Sequence, residues 1–278
     1  MIRIVADTST LYSTAQAKAA GFDVSPLTVT INSKTYREFD EISAEEFVEI
    51  IRQGHLPVSS QPAIGEVAAL YEQYQEDEII NLALADGLSG AYRSAVAAAE
   101  LVEDAKRITV VNTRTLCGPH RYLVEMAVKM AQDGCGADEI LKIVEEKMDT
   151  AKSFLIPADF DYLRRGGRLS PLVSYVGQAA NLVPIMTQTE DGCRLAVAGV
   201  RRGFNHAIQF VEKALQKREI GAGWRIYITH AAVPEMAQKT KDLLQRAFPD
   251  CVFEVYPLSP AFITQGGPGC VAVQVIKE

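Results

Sequence analysis

Apolar positions along this chain occur in two alternating textures. One consists of short, nearly unbroken apolar runs: IRIVAD (residues 2–7), FDVSPLTVTI (22–31), DEIINLALA (77–85), RITVVNT (107–113), KSFLIPA (152–158), WRIYITHA (224–231), CVFEVYPL (251–258) and GCVAVQVI (269–276). Runs of this length read as strands, and their continuous apolar character is that of strands covered on both faces. The other texture spaces apolar residues three and four apart. It marks helices over EISAEEFVEIIRQG (41–54), PHRYLVEMAVKMAQDG (119–134) and ADEILKIVEEKM (137–148). Ser43 and Glu46 stand at the spacing of a capping box before the first of these. Strands alternating with helices predict the α/β class.

One stretch departs from this pattern. In IMTQTEDGCRLAVAGVRR (185–202), Asp191-Gly192 separates two strand-like runs, which predicts a hairpin. We therefore expect two α/β domains. Residues 1–150 should hold a mostly parallel sheet flanked by helices, and residues 151–278 a mixed sheet containing the hairpin. Residues 172–176 and 179–186 follow the Gly166-Gly167-Arg168 turn and are apolar on more than one helical face. They predict a buried helix, either ordinary core or the wall of an apolar pocket.

Ligands of open α/β sheets bind beyond the carboxyl ends of strands, so the loops that follow the strands matter most. Four of them are rich in hydroxyl, amide or glycine: Asp7-Thr8-Ser9-Thr10, Ser59-Ser60-Gln61-Pro62, Asp86-Gly87-Leu88-Ser89-Gly90 and Thr264-Gln265-Gly266-Gly267-Pro268-Gly269. Neutral donors of this kind suit a carboxylate or phosphate. Two other readings compete. Ser89 and Ser60 are in places where a serine can serve only as a helix cap. Alternatively, Gly87-Leu88-Ser89-Gly90-Ala91 approaches the G-x-S-x-G turn of serine hydrolases, with Ser89 as nucleophile, His230 downstream as base, and Asp159 or Asp161 as acid. Arg164, Arg165 and Arg168 form a cationic cluster around the glycine turn, and Arg201 and Arg202 could add to it.

The 278 residues carry a net charge of -7, which argues against a broad basic face for nucleic acid. The five cysteines are widely spaced with no C-x-x-C pair, as expected of reduced thiols in a cytoplasmic protein. The opening MIRIVADTST reads as a strand and turn rather than a signal peptide. No apolar run reaches the roughly 18 residues of a membrane span, and the histidines lack metal-ligand spacing.

Taken in order, the D-[ST]-[ST], S-S-Q-P, G-L-S-G-A-Y-x-S-A, Y-L-R-R-G-G-R-L-S and G-G-P-G segments resemble the DegV family of bacterial fatty-acid-binding proteins over the whole chain. The resemblance implies a long-chain fatty acid buried by the two domains, with its carboxylate held by Ser59, Ser60 and Ser89. Gln265 stands where the family carries histidine, and Gly266 follows it. Leu172, Tyr175, Val176 and Ile185 would line the acyl pocket or face a partner, as would Arg168 and Arg201. Val183 and Gly199 stand where the family often has lysine. The implied role is that of a carrier, for lipid transport or for presentation of the fatty acid to a separate kinase, as some members of the family do. It needs no catalytic residue, cofactor, metal, nucleic acid or stable membrane insertion, and the protein is expected to be a monomer.

Overall fold

The computed structural model describes residues 1–170 and 182–278. Strand β1 (Ile2–Asp7) ends in a short 3-10 turn, where the Asp7 side chain accepts from the Ser9 N–H. Helix α1 (Thr14–Ala20) opens with a capping box between Ser13 and Gln16 and ends at Gly21, whose φ of 92° suits a residue without Cβ. Strand β2 (Asp23–Ser25) lies parallel to β1. After Pro26, strand β3 (Thr28–Ile31) joins a different sheet, with β4 (Lys34–Arg37) and β5 (Val58–Ser60) antiparallel on its two sides. The single strand expected over residues 22–31 is therefore two. Proline has no N–H for a ladder and breaks the run between the two sheets.

Helix α2 (Ala44–Arg52) begins with the expected Ser43–Glu46 capping box and buries Phe47, Val48 and Ile51. Next come α3 (Ile64–Glu72), β6 (Glu78–Ala83), α4 (Ala91–Ala99) and β7 (Ile108–Asn112). Strands β2, β1, β6 and β7 form a parallel sheet in that order. From β1 the chain goes to one side and from β6 to the other, so the crevice between β1 and β6 is the switch point where such sheets take ligands. Helices α5 (Cys117–Gln132) and α6 (Ala137–Met148) complete this half.

The second half contains β8 (Lys152–Ile156), α7 (Phe160–Gly166), β9 (Leu182–Gln188), β10 (Leu195–Arg202), α8 (Phe204–Gln216), β11 (Trp224–His230), α9 (Pro234–Ala247), β12 (Val252–Pro257), α10 (Pro260–Gly266) and β13 (Val271–Lys277). Its sheet runs β10-β9-β8-β13-β11-β12. Only β11 and β12 pair in parallel, so the sheet is mixed, as expected. The hairpin is β9–β10, with Gly192 at φ 73° in its turn.

Two expectations for this half need correction. Residues 182–186, read as the end of a buried helix, are strand. They pair with β10 on one side, and Met186 pairs with Leu155 of β8 on the other. An apolar run covered on both faces carries no period that separates helix from strand. The remainder of that predicted helix, with Leu172, Tyr175 and Val176, lies outside the described residues. The final glycine segment, read as a loop from Thr264, is helical through Gly266.

Helix α5 joins the halves. Leu123, Val124 and Ala127 pack against Ile4, Ala6, Ile80 and Leu82 of the parallel sheet, and the same cluster takes in Tyr227 and Ile276 of the mixed sheet. The Arg121 guanidinium lies 3.7 Å from the Tyr12 ring centroid on one side and 4.3 Å from that of Tyr256 on the other. Gly118 sits so close to β11 that a Cβ there would fall 2.1 Å from Tyr227 Cγ. Among the described residues no helix is long and apolar enough to cross a membrane. Gly118→Ala should overpack this contact at a cost of about 1–3 kcal/mol, measured as the fall in unfolding free energy in chemical denaturation.

Candidate functional site

The switch-point crevice is organised by a buried carboxylate. Asp7 Oδ1 accepts from the Ser9 N–H at 2.9 Å, and Oδ2 accepts from the Leu84 N–H at 2.8 Å. This ties the end of β1 to the segment leaving β6. The Ser9 hydroxyl is paired with His120 Nδ1 at 2.6 Å, and His120 Nε2 lies 2.8 Å from the Leu82 carbonyl oxygen. Burial pulls the His120 pKa down. The first hydroxyl-rich loop is thus scaffolding, with Asp7, Thr8, Ser9 and Thr10 all buried.

The next two loops face a shared space. Residues 85–90 turn tightly, with the Leu88 and Ser89 N–H groups both donating to the Ala85 carbonyl. The residue flanking α4 is Gly90, and the Ser89 oxygen accepts from the Ala91 N–H at 3.2 Å. Ser89 therefore does help the helix start, as the capping reading expects, while its own proton stays available. Ser59 and Ser60 belong to β5, opposite Val29 and Thr28 of β3. Helix α3 begins only at Ile64, after Ala63 with no side-chain cap, so neither Ser60 nor Gln61 caps it. Gln61 instead donates to the buried Ser94 hydroxyl at 2.7 Å.

Helix α10 closes the space from the other half of the molecule. Gln265 Nε2 donates to Ser59 Oγ at 3.1 Å, so the Ser59 proton also remains free. Together Ser59, Ser60, Gln61, Ser89, Gly90, Arg168 and Gln265 line a polar cavity of about 350 Å³, floored by Leu27, Leu84, Leu88, Ala261 and Phe262. Arg168 holds its position by donating from Nε to the Leu88 carbonyl at 3.1 Å and from Nη1 to the Gly166 carbonyl. Burial, with a smaller effect from Arg194, lowers the pKa of its guanidinium from the ordinary value.

Leu84, Leu88, Arg168, Phe262 and Gln265 also border a second cavity of about 90 Å³. This one runs between the halves and is walled mainly by apolar side chains, including Leu116, Phe154, Leu155, Met186, Leu195 and Leu258. Arg168 and Gln265, with Ser59, also line a recess of about 100 Å³ beside Tyr162 and Arg165. Polar and apolar cavities therefore lie side by side and share wall residues, Arg168 and Gln265 among them.

The structure thus brings together Ser59, Ser60, Ser89 and Gln265, and adds Arg168, which the sequence suggested only as a pocket or partner-facing residue. The others lie elsewhere or in part elsewhere. Gly266 is absent from the polar cavity but lines the apolar one. It ends α10 and packs on Cys270, where a Cβ would lie 2.6 Å from Sγ, and the Gly267 N–H already donates to Ile263. These glycines belong to a helix end rather than to an open loop of donors. Ile185 lies in the core beneath α8, with Ile208 and Val211, because adjacent residues of a strand face opposite ways. Its neighbour Met186 is the one that lines the apolar cavity. Arg201 is exposed on β10, 4.6 Å from the Phe210 ring centroid. Gln61, Gly90 and Phe262 were missed. A helical reading of residues 260–266 would have placed Phe262 one turn from Gln265.

The hydrolase arrangement is not assembled. His230 Nδ1 accepts from the Val233 N–H at 3.3 Å, Asp159 accepts from the Asp161 N–H, and Asp161 pairs with Arg164. None of these lines the cavity of Ser89. Among the described residues no cluster of His, Cys, Asp and Glu could hold a metal ion.

The profile of a family described as "Uncharacterised protein, DegV family" matches residues 1–278. A DegV domain-containing protein of Staphylococcus aureus (strain N315) is 29% identical over 281 residues, covering 99% of this chain and 98% of its own. The crystal structure of DegV from Bacillus subtilis, described as a fatty acid binding protein, superposes with a TM-score of 0.88 at 26% identity, covering 100% of this chain and 99% of its own. A Thermotoga maritima structure described as revealing fatty acid binding function gives a TM-score of 0.84 at 26% identity with the same coverage.

The cavity wall itself can be tested. A Cβ on Gly90 would lie 1.5 Å from Gln61 Oε1, so Gly90→Ala must turn Gln61 away and strip the buried Ser94 hydroxyl of its partner. The expected loss of unfolding free energy is about 1–3 kcal/mol. It should be clearly smaller when the same change is made in a Ser94→Ala background, as a double-mutant cycle would measure.

Proposed function

The chain belongs to the DegV family, and we propose that it binds a long-chain fatty acid. The carboxylate would lie in the polar cavity and the acyl chain in the apolar one. The observation that carries this reading is the adjacency of a polar and an apolar cavity that share wall residues, with Arg168 and Gln265 where head group and tail would meet. The solved relatives described as fatty-acid-binding proteins support it.

The chemistry of the polar cavity suits a carboxylate. Ser59 and Ser89 already accept hydrogen bonds from Gln265 and from the Ala91 N–H. A hydroxyl has one proton, and in both residues it is free to donate to an anion. Arg168 commits one N–H of Nε and one of Nη1 to carbonyls, leaving further donors and a fixed positive charge. Gln265 neither titrates nor carries charge, so the positive charge of the mouth comes from arginine rather than from an imidazole. A chain of about fifteen methylenes at about 0.8 kcal/mol each supplies on the order of 12 kcal/mol of transfer energy, cut heavily by the costs of association. Tail burial would then set affinity, and the head group orientation.

We read the role as that of a cytoplasmic, monomeric carrier that presents the bound acid to a separate kinase and has no catalytic residue of its own. Residue 150 would divide the half that supplies the hydroxyls from the half that supplies Arg168, Gln265 and most of the apolar wall.

Protein expressed in a bacterial host should yield a long-chain fatty acid on organic extraction and mass spectrometry. Protein that is empty after gentle purification and does not take up palmitate or oleate would overturn the reading. Ser89→Ala should weaken fatty-acid binding about tenfold or more, since hydrogen bonds to a charged group are worth about 1.5–3 kcal/mol. Arg168→Gln should weaken it at least as much. A serine-directed fluorophosphonate should leave Ser89 unlabelled.

A further inference from the structure

Helix α10 carries Phe262 and Gln265, and its first turn is held from the far end of the chain. Ser259 precedes Pro260 in extended conformation, φ -69° and ψ 157°, where a serine commonly caps the helix, yet its side chain caps nothing. The acceptor is Glu38, which follows β4. Glu38 Oε2 accepts from the Ala261 N–H at 2.9 Å, across 223 positions of sequence. Its other oxygen accepts from the Thr8 hydroxyl. Thr8 Oγ1 itself accepts from the Leu27 N–H at 3.0 Å, so the Thr8 proton is the one directed at Glu38. The Glu38 backbone is fixed as well, its N–H donating to the Leu27 carbonyl at 3.1 Å. Glu38 is fully buried, and the buried Ser259 hydroxyl lies beside its carboxyl without a well-formed hydrogen bond.

We propose that Glu38 is a positioning residue: by closing the first turn of α10 from the opposite half of the molecule, it sets Phe262 and Gln265 in the ligand cavity. Its effect on ligand binding rests on the fatty-acid reading above, and its effect on the helix rests on geometry alone. A buried carboxyl is a costly choice for a structural support unless its hydrogen bonds must be made at that point. Here they join the Thr8 turn after β1 to α10 through one side chain, while the Glu38 N–H and Thr8 hold Leu27 at the approach to β3.

Burial raises the Glu38 carboxyl to about 7 against the hydrogen bonds from Thr8 and Ala261 and the nearby Ser259 hydroxyl, and Asp7 raises it further. The Cys117 thiol at the start of α5, itself pushed up by burial, also feels this carboxyl. His120 reaches the group only through Ser9 and Asp7. The folded protein holds the Glu38 proton more tightly than the unfolded chain does. The contribution of this group to stability is therefore full below about pH 4.5, near the free glutamate value, and is lost as pH rises to about 7.

The test uses the intact protein with Glu38→Leu, Glu38→Gln and a control in a distant core, Tyr71→Phe. Hydrogen exchange is followed in residues 260–267, binding is followed with the fluorescent fatty acid cis-parinaric acid, and thermal midpoints are taken at pH 5 and 8. Glu38→Leu should lose protection of α10 and bind at least tenfold more weakly. Glu38→Gln keeps an acceptor for Ala261 and should retain both, with a midpoint that gains on wild type between pH 5 and 8. Wild-type protection of α10 in a folded Glu38→Leu protein would overturn the proposal, as would an equal loss of binding in Tyr71→Phe. If Glu38→Leu does not fold, an unprotected α10 in Glu38→Gln overturns it and a protected one with the midpoint gain supports it. Should wild type bind no cis-parinaric acid, the fatty-acid reading fails while the exchange measurement still decides on Glu38.

Discussion

A hydroxyl can serve an anion only if its single proton is not already given to another acceptor. The polar cavity depends on this condition. Ser89 and Ser59 meet it because the Ala91 N–H and the Gln265 amide engage their oxygens as acceptors and leave the protons unspent. In the first case the helix start itself supplies the donor, so capping and ligand donation are not alternatives for Ser89. In the second case the donor arrives from the opposite half of the molecule, and the site exists only when the two halves are docked.

That docking is specified by long-range pairs rather than by any one segment. Gln265 meets Ser59 at a separation of 206 residues, Glu38 meets Ala261 at 223, and Arg168 meets Leu88 at 80. Each of these contacts joins an element of the N-terminal half to one of the C-terminal half. Helix α5 supports them by filling the space between the sheets, with a glycine where it runs against Tyr227. A charge at the cavity mouth fits the same logic. Arg168 is held by two backbone carbonyls, one from each half, so among the described residues its guanidinium is fixed without a carboxylate partner that would neutralise it.

Much of this molecule is legible in its sequence, and the legible parts have local causes. The Ser43–Glu46 box, the Asp191-Gly192 hairpin and the alternation of strands and helices depend on neighbours within a few residues. Ser59, Ser60, Ser89 and Gln265 stood out in short motifs, although Ser59 and Ser60 lie in β5 and Gln265 in α10 rather than in loops. The split at Pro26 has a local cause in the proline itself, whereas the strand at residues 182–188 and the helix ending at Gly266 were decided by partners farther away in the chain. An apolar run buried on both faces has no period to betray its type. The same holds for which side a residue faces. Ile185 and Met186 are equally apolar and equally buried, yet one packs under α8 and the other borders the cavity. Composition alone determined that both would be inside. Only the pairing register of β9, which sends successive side chains to opposite faces of the sheet, decided which of them meets the cavity.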